Sequence, residues 1–324
     1  MKLKIGIIGT GGIADRGHAD GLRQCSATEL WSVLSRDAGR AAEFATRHSA
    51  QSPSPVHSSL GSFLEDPQLD AVIICTPDRL HAEQAIACAR AGKHILLEKP
   101  MATDAMGCQA ILDACQSAGV TLALGYRLRW HTGHRAVIAS AHAGEFGKLR
   151  HARVLWSSLA ADSSNWRTSP QLGRWWSLAA AGTHCLDFAR WALCPTAGEI
   201  EVVRSITSHS VWHSPFDESA QLAIRFANGA TAEIHSSFLF NAPSRFELYG
   251  TKGYAICEGT FGREARGSIR TQSGPVKFEP ADPFKLQLDD FARSILEKRK
   301  PEVDGIEGMR NTEILLAVAR ENGF

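Results

Sequence analysis

Six residues near the start of the chain, Gly9-Thr10-Gly11-Gly12-Ile13-Ala14, carry the clearest chemical signal. Gly9, Gly11 and Ala14 fill the small-residue positions of G-x-G-x-x-[GA], behind an apolar strand over 2–8 and ahead of a helical pattern reaching about Gln24. Such a turn lets a pyrophosphate approach the backbone, and the helix N-terminus adds amide donors and a favourable dipole. Alone the pattern is weak. Between a strand and a helix it predicts a dinucleotide site cradled by Gly9, Thr10, Gly11, Gly12, Ile13 and Ala14. The next strand ends in Leu34-Ser35-Arg36-Asp37. A carboxylate at that strand end would hydrogen-bond the adenine ribose of NAD. Ser35 and Arg36 suit a 2′-phosphate instead, so NADP is the expected cofactor and NAD the alternative. Lys99 follows a later apolar strand at its carboxyl end, where ligands collect in such folds. Oxidising an alcohol needs a base for the hydroxyl proton, and reducing a carbonyl needs the same group as an acid. A partly desolvated lysine has a depressed pKa and exchanges a proton near neutrality.

These groups need a scaffold, and the pattern along the chain supplies one. Apolar strands are expected at 2–8, 29–34, 69–75, 94–97 and 121–124, alternating with helices at 38–48, 80–91 and 105–118. Gly92 closes the second of these helices as a favoured cap residue. The Ser- and Pro-rich stretch 49–59 reads as a loop. Strands apolar throughout and alternating with helices indicate a parallel sheet covered on both faces. After about residue 125 the rhythm changes. Strands at 149–158, 201–212, 220–226, 230–238, 246–249 and 254–257 have one buried face, and helices are expected at 182–192, 284–298 and 305–322. Asn228-Gly229 predicts a type I′ hairpin between two of those strands. The fold class is therefore α/β: a Rossmann doubly wound parallel sheet over residues 1–123, then an α+β domain over 124–324 with a large, mostly antiparallel open sheet.

Taken in order, the motifs resemble those of the Gfo/Idh/MocA family of glucose–fructose oxidoreductase, inositol dehydrogenase and relatives. The carrying segments are the glycine turn, Cys75-Thr76-Pro77 with His81, Glu98-Lys99-Pro100, Gly182-Thr183-His184 with Asp187, the stretch Phe246 to Gly253, and the final helix. The resemblance implies NAD(P)-dependent redox chemistry on sugars, inositols or similar polyhydroxylated molecules. It makes Lys99 the group that contacts the substrate hydroxyl and His184 the catalytic histidine. It adds Thr76, Pro77, His81, Glu98 and Lys99 to the cofactor-binding residues, with Glu98 either touching the cofactor or structural. It points to Tyr126, Arg127, Trp166 and Arg167 as either lining the substrate cleft or structural, and it adds Asp187 and His184 to the substrate-binding residues. It also implies a homo-oligomer, a dimer or tetramer, built through the open sheet. His184 is expected in the first turn of its helix, with Asp187 three residues on, able to orient the imidazole or cap the helix. One departure stands out. Many relatives carry an aspartate four residues before this histidine, where this chain has Ala180. Trp175 and Trp176 lie just upstream; two indoles there would either wall a sugar pocket or pack in the core.

Composition narrows the function classes. The chain has 324 residues, long enough for two cores, and a net charge of +1 from 35 basic and 34 acidic side chains. That balance gives no case for a nucleic-acid or anionic-membrane partner. No apolar run approaches the ~18 to 20 residues that span a bilayer. Neither the 8 cysteines nor the 13 histidines show metal-ligand spacing, so no metal is expected, and a reduced, cytoplasmic protein is. Two other functions are compatible with the motifs: a glycoside hydrolase that uses NAD for transient oxidation, and a dinucleotide- or carbohydrate-binding regulatory protein without turnover.

Overall fold

Strands that are apolar on both faces are stable only when both are covered. The computed structural model, which describes residues 2–324, gives the early strands that cover. β1 (Leu3–Ile8), β2 (Thr28–Leu34), β3 (Val56–His57), β4 (Ala71–Ile74), β5 (His94–Leu97) and β6 (Leu122–Leu124) form one parallel sheet in the order β3-β2-β1-β4-β5-β6. Ile5, Ile7, Ala71, Ile73 and Leu96 pack to one side with Leu22, Leu288 and Phe291. Val72, Ile74, Ile95 and Leu97 pack to the other with Ala85, Cys88 and Ile111. The strand order reverses between β1 and β4, and ligands of such sheets bind outside the carboxyl ends of the strands at that point. The helices around the sheet are α1 (Ala19–Gln24), α2 (Ala38–Arg47), α3 (Leu60–Leu64), α4 (His81–Arg90) and α5 (Ala105–Ala118). Asp37, Ser59 and Asp104 cap α2, α3 and α5 by accepting first-turn N–H groups. Gly92, at φ +71°, follows α4 as expected. The stretch 49–59 is not loop throughout, because Val56 and His57 pair with Val33 and Leu34.

The second sheet contains β7 (Leu149–Ser157), β8 (Ile200–Ser208), β9 (Ser219–Phe226), β10 (Thr231–Ser237), β11 (Arg245–Gly250), β12 (Tyr254–Glu258), β13 (Ser268–Thr271) and β14 (Gly274–Pro275). Their order is β14-β13-β12-β11-β7-β10-β9-β8, with only β7 and β10 parallel. Of the remaining helices, α6 (Thr132–His142), α7 (Thr183–Ala197), α8 (Pro283–Leu296) and α9 (Gly305–Asn322), the α7 stripe of Phe188, Ala189 and Ala192 fills the core against Val154, Ile234 and Phe246. Alternation along β9, buried at Ala220, Leu222, Ile224 and Phe226 and open between them, leaves the opposite face uncovered. The β9–β10 connection departs from the expected type I′ turn. Phe226 O accepts from Gly229 N and Phe226 N donates to Ala230 O, and only Gly229, at φ +86°, takes a positive φ. This is a three-residue loop, a type I turn closed by a glycine bulge.

Two compact units result, one comprising residues up to Tyr126 with Phe284–Thr312, the other Arg127–Pro283 with Glu313–Phe324. The segment Phe284–Thr312 belongs to the first because Leu288, Phe291 and Ala292 fill one face of its sheet. Among the described residues no helix is long and apolar enough to cross a membrane.

The start of α6 carries a pH dependence. His131 accepts from the Gly133 and His134 amides and stacks on His134 at 4.1 Å, and both side chains are fully buried. Burial pushes the His131 imidazole down to about 4 and holds His134 well below the usual histidine range. An unfolded chain takes up these two protons as pH falls through about 6.5, while the folded chain refuses the His131 proton until about 4 and the His134 proton until well below the usual histidine range. Stability conferred by the neutral rings is therefore complete above pH 6.5 and lost as pH falls toward 4. Asp217 works in the other direction, since burial raises its carboxyl to about 6 and the folded state binds that proton first. Two groups outweigh one, so urea-unfolding midpoints should drop steadily from pH 6.5 to 4.5. His131→Asn, which keeps a cap acceptor, should shrink that drop; an undiminished drop would show that His131 is not responsible.

Candidate active site

The glycine turn is built to admit a ligand. Gly9 follows β1 at φ +94°, and a Cβ there would sit 3.0 Å from the Cys75 carbonyl oxygen, so no other residue fits without strain. A Cβ on Gly11 would meet nothing within 4 Å, which is open room beside the backbone. Asp15 N donates to Gly11 O at 3.0 Å, the start of the helical ladder, and the amides before it belong to the turn of a helix that has no internal acceptors. Ile13 is half-buried and Ala14 fully buried, anchoring that turn. Open space, converging amides and a helix N-terminus fit a dinucleotide pyrophosphate. Sequence reasoning missed Arg16, whose Nη2 would lie 2.9 Å from a Cβ on Gly12, so the guanidinium hangs over the same turn.

At the end of β2, Ser35 is buried and its Oγ lies 3.4 Å from Thr10 Oγ1. Arg36 is exposed. Asp37 is committed elsewhere: Oδ1 accepts from Arg40 N at 3.0 Å and Oδ2 lies 3.4 Å from the Arg40 guanidinium. The Arg40 amide, above all, holds this carboxyl below its usual range.

Between β4 and α4, Thr76 donates its hydroxyl to Gln84 and Pro77 precedes a short turn, Asp78–Leu80. His81 is fully buried, with Nδ1 2.8 Å from Pro100 O and Nε2 2.9 Å from Thr76 O. Each ring nitrogen faces a backbone carbonyl oxygen, and the one that carries the hydrogen donates, so His81 lies between the Thr76 and Pro100 loops. Lys99, after β5, is 8% exposed and precedes a cis peptide to Pro100. Glu98 is buried beside it, Oε1 2.8 Å from His18 Nε2 and Oε2 accepting from Lys99 N at 3.3 Å. Burial alone would raise the Glu98 carboxyl, yet the His18 hydrogen bond and charge, with the Lys99 charge, hold it below the usual range. His18 was not singled out from sequence. Its signal was the spacing Ala14, His18, Leu22, which places an imidazole on the apolar stripe of a helix.

In the second unit, His184 is not in the first turn of its helix. A widened turn of π type, Leu178–Gly182, runs directly into α7, so the helix begins before Ala180 and His184 lies in its second turn. Asp217 caps this start, accepting from Trp176 N at 3.0 Å, Leu178 N at 2.7 Å and Ser177 Oγ at 2.6 Å. The His184 ring packs at 5.5 Å from Trp156. Asp187 receives both Nε and Nη2 of Arg129, at 2.8 and 2.6 Å, and both side chains are buried. Arg127 donates to the Phe261 and Gly262 carbonyl oxygens. Trp175 and Trp176 resolve to core packing: neither exceeds 1% exposure, and Trp176 stacks on Phe238 at 5.2 Å. Trp176 still borders a cavity of about 250 Å³ with Ser158, Asp162 and Asn165. Trp166 and Arg167 lie on a half-exposed turn, with the guanidinium over the indole at 4.2 Å. Tyr126 is fully buried in the core of the first unit.

Comparison with known proteins agrees with this geometry. Residues 3–126 match the family described as oxidoreductase family, NAD-binding Rossmann fold, and residues 134–256 match the GFO/IDH/MocA C-terminal domain. The chain is 29% identical over 325 aligned positions to 1,5-anhydro-D-fructose reductase of Ensifer adhaerens, covering 97% of this chain and 95% of that protein. It is 28% identical over 321 positions to D-xylose 1-dehydrogenase (NADP(+)) 2 of Haloferax volcanii, covering 95% and 93%. Among solved structures, the aldose-aldose oxidoreductase of Caulobacter crescentus complexed with glycerol superposes with a TM-score of 0.91 at 27% identity, covering 100% of this chain and 99% of that one.

Proposed function

The chain belongs to the Gfo/Idh/MocA family of NAD-binding oxidoreductases, and we propose that it moves hydride between a nicotinamide dinucleotide and a sugar, cyclitol or related polyhydroxylated substrate. The observation that carries this reading is the pairing of an open glycine turn with a buried Glu98 that flanks Lys99. The dinucleotide, when bound, accepts or supplies the hydride. Gly9 to Ala14, with Arg16, would hold its pyrophosphate. Lys99 exchanges the proton of the reacting hydroxyl: as base when an alcohol is oxidised, as acid when a carbonyl is reduced. His184, on the second unit, is the histidine that the family resemblance assigns to catalysis, and it has no acidic residue at position 180. Thr76, Pro77 and His81 form the loop that keeps the Lys99 backbone in place. Neither a hydrolase nor a regulatory protein draws support from the relatives, which are named reductases and dehydrogenases. The test is absorbance at the reduced-nicotinamide band during titration with sugars, keto-sugars and cyclitols. Net reduction or oxidation of the dinucleotide is expected; binding with no change in the band over the whole panel would refute the assignment.

We further assign the preference to NADP, supported by the exposed Arg36 at the end of β2 and by the use of Asp37 as a helix cap. Arg36→Ala should weaken NADP by about tenfold or more while leaving NAD within two- to threefold, because only NADP offers a 2′-phosphate to pair. Equal losses for both, measured by fluorescence titration, would remove Arg36 from the site. A homo-oligomer through the uncovered sheet face is supported by Ile206 on β8, 75% exposed. A cytoplasmic location is supported by eight cysteines that are all free thiols.

A further inference from the structure

The Glu98 carboxylate sits where four segments meet. His18, from the turn after β1, reaches Oε1 at 2.8 Å. The Lys99 amide reaches Oε2 at 3.3 Å. Gly125, just after β6, leaves the space: a Cβ there would lie 2.9 Å from Oε1. The Cys75 thiol, at the end of β4, is close enough for the carboxylate to help push its pKa up. His18 is itself fully buried, with the edge of Phe284 at 5.2 Å. Its Nδ1 is enclosed and has no hydrogen-bond partner. An ionised carboxylate can only accept, so Nε2 is the donor of the bond to Glu98. The pair therefore fixes the Glu98 carboxylate in place directly ahead of Lys99.

We propose that His18 is a positioning residue that acts through Glu98 on Lys99, keeping the carboxylate ionised so that the Lys99 amine stays protonated until substrate or base draws the proton away. The inference rests on the proposed function for the meaning of Lys99, but not for its measurement. A buried carboxylate without a donor tends to take up a proton, and an enclosed imidazole that donates to it prevents this. The ionised carboxylate favours the ammonium form of its neighbour. The charged and titratable groups facing Glu98 are His18, Lys99 and Cys75, and Gly125 adds none.

The test reads Lys99 directly. The full-length protein is acetylated with trace acetic anhydride across a pH series, and the Lys99 peptide is quantified by mass spectrometry. Glu98→Gln, which preserves shape, should lower the titration midpoint of Lys99 by about 1 pH unit or more. His18→Ala should lower it in the same direction, and His18→Gln, which restores an N–H donor, should return it toward wild type. Circular dichroism checks that each variant folds, and Glu98→Gln alone decides the matter if His18→Ala does not. A purely structural pair would change unfolding midpoints and leave the Lys99 midpoint unmoved in Glu98→Gln; that result overturns the proposal. A shifted midpoint in a protein that turns over no polyol supports the role of the pair while refuting the proposed function.

Discussion

Replacing Lys99 with methionine should lower turnover by about 10³-fold or more while leaving dinucleotide affinity within a few-fold. Methionine matches the length of the lysine stem and fills its buried path, so the substitution removes the amine and little else. The residues proposed to hold the pyrophosphate, Gly9 to Ala14 and Arg16, lie on a different segment and are untouched. The Lys99 amide still donates to Glu98, because that bond is made by backbone. The affected step is the proton transfer: without the amine, the hydroxyl proton must leave to water in a partly enclosed site. Steady-state rates in both directions, with dinucleotide binding followed by fluorescence, measure the two quantities separately. Near-normal turnover in the variant would take the proton transfer away from Lys99. Equal collapse of binding and turnover would place the lysine in cofactor binding instead.

Much of the scaffold was legible because its signals are local. Continuous apolar runs such as Ala71 to Ile74 cannot stand with one face in water, and β4 does sit in the middle of a parallel sheet with both faces covered. The glycine turn was legible because Gly9 must take a positive φ that other residues resist. What escaped was set by residues distant in sequence. The chain Leu178-Ala179-Ala180-Ala181 contains no cap residue, and the helix begins there because Asp217, from the segment before β9, satisfies its first amides. His18 finds Glu98 eighty residues later, and no spacing rule joins them. Asn228-Gly229 suggested a two-residue turn, but Ala227 is part of the loop, since Phe226 rather than Ala227 pairs with Ala230. Aromatic residues are ambiguous in a different way. An indole suits both a core and a sugar face, and only burial resolved Trp175 and Trp176. The apolar stripe of α8 announces a buried helix, yet nothing in it says which sheet Leu288 and Phe291 cover.

Asp187 illustrates how a site candidate can also be a keystone, and its removal should be among the most damaging single changes to stability. Arg129 sits 4% exposed in the turn after the first unit, and Asp187 sits 1% exposed on α7, one turn beyond His184. Their contact is bidentate, which satisfies both carboxylate oxygens and two guanidinium nitrogens at once. Forming such a pair gains little net free energy, because both ions are stripped of water. Breaking it costs far more, because the survivor remains buried and charged. Asp187→Ala should therefore reduce unfolding stability by about 3–5 kcal/mol. Arg129→Met should cost less than that, since a carboxyl can take up a proton and a guanidinium cannot release one. The double variant Arg129→Met with Asp187→Leu should recover most of the loss, because neither charge then remains. Urea unfolding of the two singles and the double measures the coupling, and circular dichroism confirms the starting fold. Strictly additive losses would mean that the pair is not energetically coupled. A loss below about 1 kcal/mol in Asp187→Ala would mean that water reaches Arg129 and that α7 is not held by this pair. If the coupling is found, a lowered turnover in Asp187 variants has to be read first as a displaced α7, and the His184 that it carries, before any direct contact of Asp187 with substrate is inferred.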